Sequence, residues 1–490
     1  MSEVKDKEIN LKFSEENELF RTTIATMEKN GKRKWVYAKK SSGTFTNYRK
    51  VVSALLLGLF FILPFVHLPN GNPLFKFDVF HTEFILFGYP FFTSDFFLLA
   101  FGMILSVVFI ILFTNAFGRI FCGWMCPQTI FLEFVFRQIE FWIEGDRHKQ
   151  IRLDKQEWNQ EKILKKGSKW LIFYLIAVVV VSVAMMYIVG SSFFIQMMEE
   201  GFEVHYGKFT VMFIVSWLFF FVFAWFREQV CTLVCPFGRL QSVLLDQQTL
   251  QVAYDFKRGE AVNGRSKFRK NEDRSIAGKG DCIDCGQCVA VCPTGIDIRN
   301  GSQLECVNCT ACMDACDEVM DKIHYPKGLI KIASTQSLKE EKGFQITTRM
   351  IVFTSVIVAM LIGIVFFLCQ RSDVEGKFLQ IPGGKYVEEE QYIANTLQYT
   401  LMNKTNKTHQ LYVEVSSHPD ALVEIISSQK PFIEIEKGEL EQGFVKVKIP
   451  RGALHSYKEP IVLQLRNKEG IMIDQFKMSF RAPYDIGVSL

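Results

Sequence analysis

Five stretches of the chain are apolar almost without interruption: roughly residues 51–68, 96–117, 170–189, 210–226 and 350–369. A helix needs about 20 residues to cross the hydrocarbon core of a bilayer. Each stretch therefore predicts a membrane span, with soft limits where Pro64 falls in the first and where the fourth is short. Beyond the fifth stretch the texture changes. Runs such as "TLQYTLMN", "HQLYVEVSS", "PFIEIEKG", "GFVKVKIP" and "PIVLQLRN" alternate apolar and polar residues. Turn residues recur about every 8–12 positions, which predicts an all-β sandwich of about seven strands over 371–490.

Composition agrees, with 49% of the 490 residues hydrophobic and 47 of them Phe. A soluble chain of this length would divide into about three domains. The placement of charge decides between the two. Lys and Arg number 12 in residues 1–50, one in 69–95 (Lys76), eight in 144–169, one in 191–208 (Lys208) and 17 in 227–349. Buried helices of a soluble protein have no reason to alternate in this way, whereas the positive-inside rule demands it. The pattern predicts a cytoplasmic N-terminal segment (1–50), a transmembrane region (51–246), a last span (350–369) and a C-terminal domain outside. The first 50 residues are polar and too long for the charged start of a signal peptide. Residues 247–281 are basic, glycine-rich and polar, and read as a tether.

Twelve of the 13 cysteines sit on or beside the expected cytoplasmic side. In a reducing compartment clustered cysteines are metal ligands or redox groups rather than disulfides. "CIDCGQCVAVCP" sets Cys282, Cys285, Cys288 and Cys292 in C-x2-C-x2-C-x3-C-P spacing, and "CVNCTACMDAC" repeats it with Cys306, Cys309, Cys312 and Cys316. Three thiolates on a tight loop suit one iron–sulfur cubane, and in two-cluster ferredoxins the fourth cysteine serves the other cluster. The expected ligand sets are Cys282, Cys285, Cys288 and Cys316 for one [4Fe–4S] cluster, and Cys306, Cys309, Cys312 and Cys292 for the second. Asp317 replaces the proline of the first motif. Zinc is the competing reading of such pairs. Residues 282–330 are thus expected to form a ferredoxin-like, two-cluster α+β module for one-electron transfer.

The remaining chemistry is duplicated. "GRIFCGWMCPQT" (118–129) and "REQVCTLVCPFG" (227–238) each place C-x3-C-P at the end of an apolar stretch, with Cys122 and Cys126 both 109 residues ahead of Cys231 and Cys235. Cysteines four apart share a helix face. Pro127 and Pro236 disfavour helical geometry at the cysteine before each, so the helices should end or bend there. Thiolates are soft ligands that select Cu(I). Packing, a third cluster, a redox disulfide and the lining of a quinol pocket stand as alternatives.

Lesser candidates have plainer readings. Glu133, Arg137, Glu140 and Glu144 make one polar stripe, read as a solvated face of a helix at the membrane surface. His67, His81, His148, His205 and His324 are scattered and read as surface or structural residues. Asp95 reads as a helix N-cap, and Met185, Met186, Met197 and Met198 as packing. Asn403 and Asn406 each open an N-x-T sequence, with glycosylation not expected.

At these residues the chain closely resembles the cytochrome c oxidase accessory proteins of the CcoG/FixG type. "GRIFCGWMCPQT" running to "IEGDR", then "EQVCTLVCPFGRLQSV", "YDFKRGE", "GDCIDCGQCVAVCPTGIDIRNG" and "RSDVEG" carry the resemblance, which covers nearly the whole length. "IPGGKY" and "LMNKTNKTH" look like that family's C-terminal immunoglobulin-like domain. The resemblance implies a multi-pass protein of the bacterial inner membrane with its C-terminal domain periplasmic. It implies a role in maturing cbb3-type oxidase by reducing Cu(II) to Cu(I), with Cys122, Cys126, Cys231 and Cys235 handling the copper. The implied partners are an oxidase subunit or a copper chaperone or transporter, together with a cytoplasmic electron donor. The longer, more basic N-terminus departs from the family pattern. A quinol dehydrogenase of the polyferredoxin kind and a non-redox assembly scaffold are the rival readings.

Overall fold

The structure is a computed structural model. It describes Thr26, Asn30 and residues 32–484, except 70–71, 79–82, 92–94, 270–273, 275, 302, 341–347, 370–372, 382–385, 390, 406, 428–429 and 437. His81, Asn406 and the first 25 residues lie outside the described residues. The chain forms two compact units, one of Met1–Pro64 with Gly102–Leu361 and one of Phe65–Phe101 with Ile362–Leu490.

Among the described residues five helices are long and apolar enough to cross a membrane: Thr44–Phe65, Phe96–Phe117, Gln160–Val189, Tyr206–Phe226 and Thr348–Cys369. Their large side chains point outward, as Ile104 and Ile362 do at 54% and 65% exposure. That is untenable in water and normal against lipid. Two helices start earlier than their apolar stretches, for a local reason. The first gains polar turns from Thr44 because its free N–H groups are capped, as described below. The third begins at Gln160, where the Asn159 side chain accepts from Lys162 N at 2.9 Å, and its charged turns form ion pairs.

Within the first unit, the segment expected as a tether is largely built into the cysteine-rich module. Gln251–Tyr254 pairs antiparallel with Ile330–Ala333, Gln251 opposite Ala333 and Tyr254 opposite Ile330. This two-stranded sheet therefore brackets all eight cysteines. Asp255 caps the helix Phe256–Glu260. Arg274 is fully buried and donates to the carbonyls of Gly280 at 2.6 Å and Cys282 at 3.0 Å. The basic residues here clamp the backbone, which composition alone does not reveal.

In the second unit two antiparallel sheets pack face to face. One runs Leu422–Ile425, Leu440–Pro450, Tyr392–Asn403, Val374–Gln380, with the two-residue strand Val387–Glu388 also on Tyr392–Asn403. The other runs Ile433–Ile435, His409–Val415, Lys458–Asn467, Met472–Arg481. Alternate residues such as Leu397, Leu401, Val445, Leu411 and Leu463 meet in one dry core, the period-two pattern of a sandwich. The sandwich has nine strands among the described residues rather than about seven, because Val387–Glu388 and Leu422–Ile425 are too short to show a period.

Candidate functional site

The two C-x2-C-x2-C loops share one backbone conformation. Asp284 and Gly286 flank Cys285 with φ of 50° and 64°, while Asn308 and Thr310 flank Cys309 with φ of 53° and 61°. Left-handed residues on both sides of the middle cysteine curl each loop around a hollow. For Thr310, a β-branched residue, this geometry costs about 1–2 kcal/mol, partly offset by its hydroxyl donating to Cys309 O at 2.6 Å. The helix Ala311–Lys322 carries Cys316 onward, whereas Gln287–Ala290 ends two residues before Cys292.

Two hollows of nearly equal size result. One is lined by Cys282, Cys285, Cys288 and Cys316. The other is lined by Cys292, Cys306, Cys309 and Cys312, with Cys288 between the two. Burial pushes the thiols of Cys288, Cys306 and Cys316 up to about 12 and that of Cys292 to about 11. All the cysteines are free. Among the described residues no three His, Cys, Asp or Glu side chains close tightly enough on one point to hold a single ion. Crossed thiol sets around matched hollows fit a pair of cubane clusters.

The duplicated pairs also share a backbone. Cys126 and Cys235 are extended (φ −63°, ψ 126° and φ −64°, ψ 110°), and each is the N-cap of the helix that its proline begins. The amides of both close a six-residue turn, Cys126 N to Phe121 O at 3.0 Å and Cys235 N to Val230 O at 2.8 Å. Two cysteines on one helix face is therefore not what forms. Each proline ends the preceding helix, so the second thiol of each pair leaves it. The four thiols are neighbours nonetheless, although they do not close on one point as a ready-made ion site. Burial pushes Cys231 up to about 12, and its neighbours Cys126, Cys122 and Cys235 add to the rise. Cys122 is also raised by burial, against the pull of Arg119, and its thiol donates to Gln241 Oε1 at 2.9 Å.

This thiol centre lies directly against the cysteine-rich module. Cys122 packs on the apolar cluster of Val291, Val307, Cys309, Ala311 and Ala315. Gly123 sits so close that a β-carbon there would be 2.4 Å from Val307 O and 2.9 Å from Cys309 N. Buried Arg49, in the first span, donates through Nε to Gly123 O at 3.1 Å. Buried Arg119 donates to Leu304 O in the module and to Ser242. On the helix Ala311–Lys322, Asp314 accepts from Phe45 N at 3.1 Å and from Thr46 N and Oγ1 at 2.6 Å. The module thus caps the first membrane helix.

The polar stripe is not a solvated face. Arg137 and Glu140 are 3% exposed and Glu144 is 5% exposed. Glu140 receives both terminal nitrogens of Arg227, at 3.0 and 2.7 Å, and Lys169 bridges Glu140 and Glu144 at 3.5 and 2.8 Å. Arg227 and Arg33 both lie over the Trp35 ring, at 5.1 and 4.3 Å, and Arg33 pairs with Glu228. Burial alone would raise the Glu140 carboxyl, but Arg227 and Lys169 overcome it and hold it low. The i, i+3/i+4 spacing was visible; the cations that bury it come from other segments.

Other candidates keep plain roles. His148 and His324 are exposed, His205 bonds Glu200 at 2.6 Å, and His67 contacts Phe65 O at 3.1 Å. Met197 is fully buried. Asp95 is buried and pairs with Lys404 at 2.7 Å. Asn403 is buried and donates to the carbonyls of Lys407 and Glu436, so its amide is a core group.

Matched cysteine hollows, joined through a thiol centre to apolar spans, define a membrane-bound iron–sulfur protein of electron transfer. Known proteins agree. Family models match a 4Fe-4S dicluster domain at residues 226–335, a 4Fe-4S binding domain at 99–150, and the IG-like fold at the C-terminus of FixG at 364–483. Protein RdxB of Cereibacter sphaeroides is 32% identical over 403 residues, covering 79% of this chain and 83% of that protein. RdxA of the same organism is 35% identical over 299 residues (60% and 61%), and the nitrogen fixation protein FixG of Rhizobium meliloti is 33% identical over 309 residues (62% and 58%). The chain belongs to the FixG family.

Proposed function

We propose that this protein reduces Cu(II) to Cu(I) in the membrane and hands it on for assembly of the copper centre of a cbb3-type oxidase. The observation that carries the reading is that Cys122, a neighbour of Cys126, Cys231 and Cys235, packs on the apolar cluster of the module that includes Cys309. In this proposal Cys282, Cys285, Cys288 and Cys316 hold one [4Fe–4S] cluster, and Cys306, Cys309, Cys312 and Cys292 the other. When bound, the clusters supply electrons singly, which matches the one electron that Cu(II) needs. The four membrane thiols take up copper, and sulfur ligation favours the reduced ion, so the ligand set and the direction of reduction agree. The bends at Pro127 and Pro236 set one thiol of each pair beyond its helix, where the Cys235 sulfur accepts from Gly238 N at 3.4 Å. Gly123 removes the side chain that would hold the thiol centre away from the module. The N-terminus and the cysteine-rich module are placed in the cytoplasm by the charge pattern, and the sandwich outside, where it would meet an oxidase subunit or copper chaperone.

The match of a 4Fe-4S binding domain across Cys122 and Cys126 favours a second reading, in which the four membrane thiols hold a third cluster. One experiment separates them. Anaerobic, dithionite-reduced protein is mixed with Cu(II) while cluster bleaching and Cu(I) are followed together, for wild type and Cys122→Ser/Cys231→Ser, with iron counted in both. Cu(I) formed by wild type alone, at equal iron content, supports copper reduction. Iron falling from three cubanes to two in the variant supports the third cluster. Equal behaviour of the two proteins removes the membrane cysteines from the chemistry.

A further inference from the structure

A hollow opens beside the start of the first membrane helix, between that helix, the former stripe and the cysteine-rich module. Its charged lining is Lys39, Lys40, Arg49, Lys50 and Arg137 against the single carboxylate of Glu133. Glu133 already accepts from Arg137 Nη1. Arg49 and Arg137 are each only 3% exposed, yet Nη2 of both has no hydrogen-bond partner. A buried guanidinium with an unmet donor costs on the order of 1–3 kcal/mol, and two in one basic cavity ask for an acceptor. Arg49 is held in place independently, by Gly123 O and by the ring of Phe134 at 5.1 Å.

We infer that this hollow is a phosphate-binding site, occupied by the headgroup of an anionic phospholipid. A tetrahedral anion accepts from several donors at once, and guanidinium forks suit it. The position favours a lipid: Lys39 to Lys50 straddle the polar first turns of a helix long and apolar enough to cross a membrane, the end at which headgroups lie. Free phosphate shares the chemistry and is the alternative source. On the module side the wall is Val291, Pro293 and Ala311, on either side of Cys292 and beside Cys312, so a bound headgroup would brace the cysteine-rich module against the bundle. This site is independent of the metal taken by the membrane thiols.

The test uses the full chain, delipidated in a nonionic detergent. Unfolding midpoints are followed by tryptophan fluorescence against added phosphatidylglycerol, phosphatidylcholine of the same chain length, or inorganic phosphate, and native mass spectrometry counts retained lipid. Phosphatidylglycerol should be retained one per chain, raise the midpoint, and bind at least about tenfold better than phosphatidylcholine. Lys40→Gln/Lys50→Gln, at exposed rim positions that the fold does not need, should erase that preference, and Arg137→Gln should abolish retention. Millimolar phosphate giving the same shift, lost in the same variants, keeps the site and reassigns its source. Equal retention of both lipids with no phosphate effect, or a preference unchanged in the rim variant, overturns the proposal.

Discussion

Gly123 and Cys309 touch backbone to backbone: a β-carbon on the glycine would lie 2.9 Å from the cysteine's amide nitrogen. One residue from a membrane thiol, the chain is thus pressed onto the loop that curls around a hollow of the module.

Gly123→Ala should therefore separate the two centres. A contact this short cannot be absorbed by a flexible side chain, because both neighbours are backbone. Overpacking of this kind costs about 1–3 kcal/mol. The iron–sulfur absorbance should persist, while electron transfer to an acceptor at the membrane thiols slows markedly in stopped-flow traces. An unchanged rate would mean that this contact does not serve transfer.

Asp314→Ala should lower stability without touching a thiol. It removes the acceptor for Phe45 N, Thr46 N and the Thr46 hydroxyl, and loss of such a cap costs about 0.5–2 kcal/mol. Thermal unfolding in detergent should show the drop, with Asp314→Asn recovering part of it.

Arg227→Ala should be the most damaging single change in the buried charge network. It strands the Glu140 carboxylate without its bidentate partner, at a cost of about 3–5 kcal/mol. Arg227 has φ of 52°, so Arg227→Gly relieves backbone strain but must still unfold earlier than wild type. Expression level and melting midpoint in matched detergent check both.

Acid should weaken the same network. Glu140 is held low by Arg227 and Lys169 against its burial, and Asp154 is held low by Lys166 and Tyr37 against its own. A carboxyl whose folded value lies below its unfolded one stabilises fully above the unfolded value, near 4. That contribution is lost as pH falls through the folded value. Melting midpoints should drop below about pH 4, and Glu140→Gln should flatten that acid limb while lowering the plateau. A parallel curve for the variant would assign the acid limb to other groups.

On the proposed copper reading, metal uptake by the membrane thiols should release protons. With Cys231 pushed up to about 12 by burial, it is protonated at neutral pH, and a soft metal binds the thiolate. Apparent Cu(I) affinity should rise by about tenfold per pH unit for each proton displaced. Calorimetry in two buffers of different ionisation enthalpy counts those protons, and a buffer-independent heat would exclude Cys231 as a ligand.

Much of this protein was written in short-range pattern. Long apolar stretches, alternation along the sandwich strands, and the spacing of eight cysteines act within a turn or a strand, so they survive as patterns in a single sequence. Pro127 and Pro236 likewise forced the bends at Cys126 and Cys235 through purely local sterics. Other features depended on partners far along the chain. Asp314 caps a helix about 270 positions away, Arg227 buries Glu140 from 87 positions away, and Lys404 reaches Asp95 across 309. The stripe looked solvated because nothing within its own helix announces those cations. The stretch before the cysteines looked like a tether because a four-residue strand shows its meaning only when Ile330–Ala333 returns to pair with it. Local order is set by covalent spacing, whereas burial of charge is decided only when distant segments close over it.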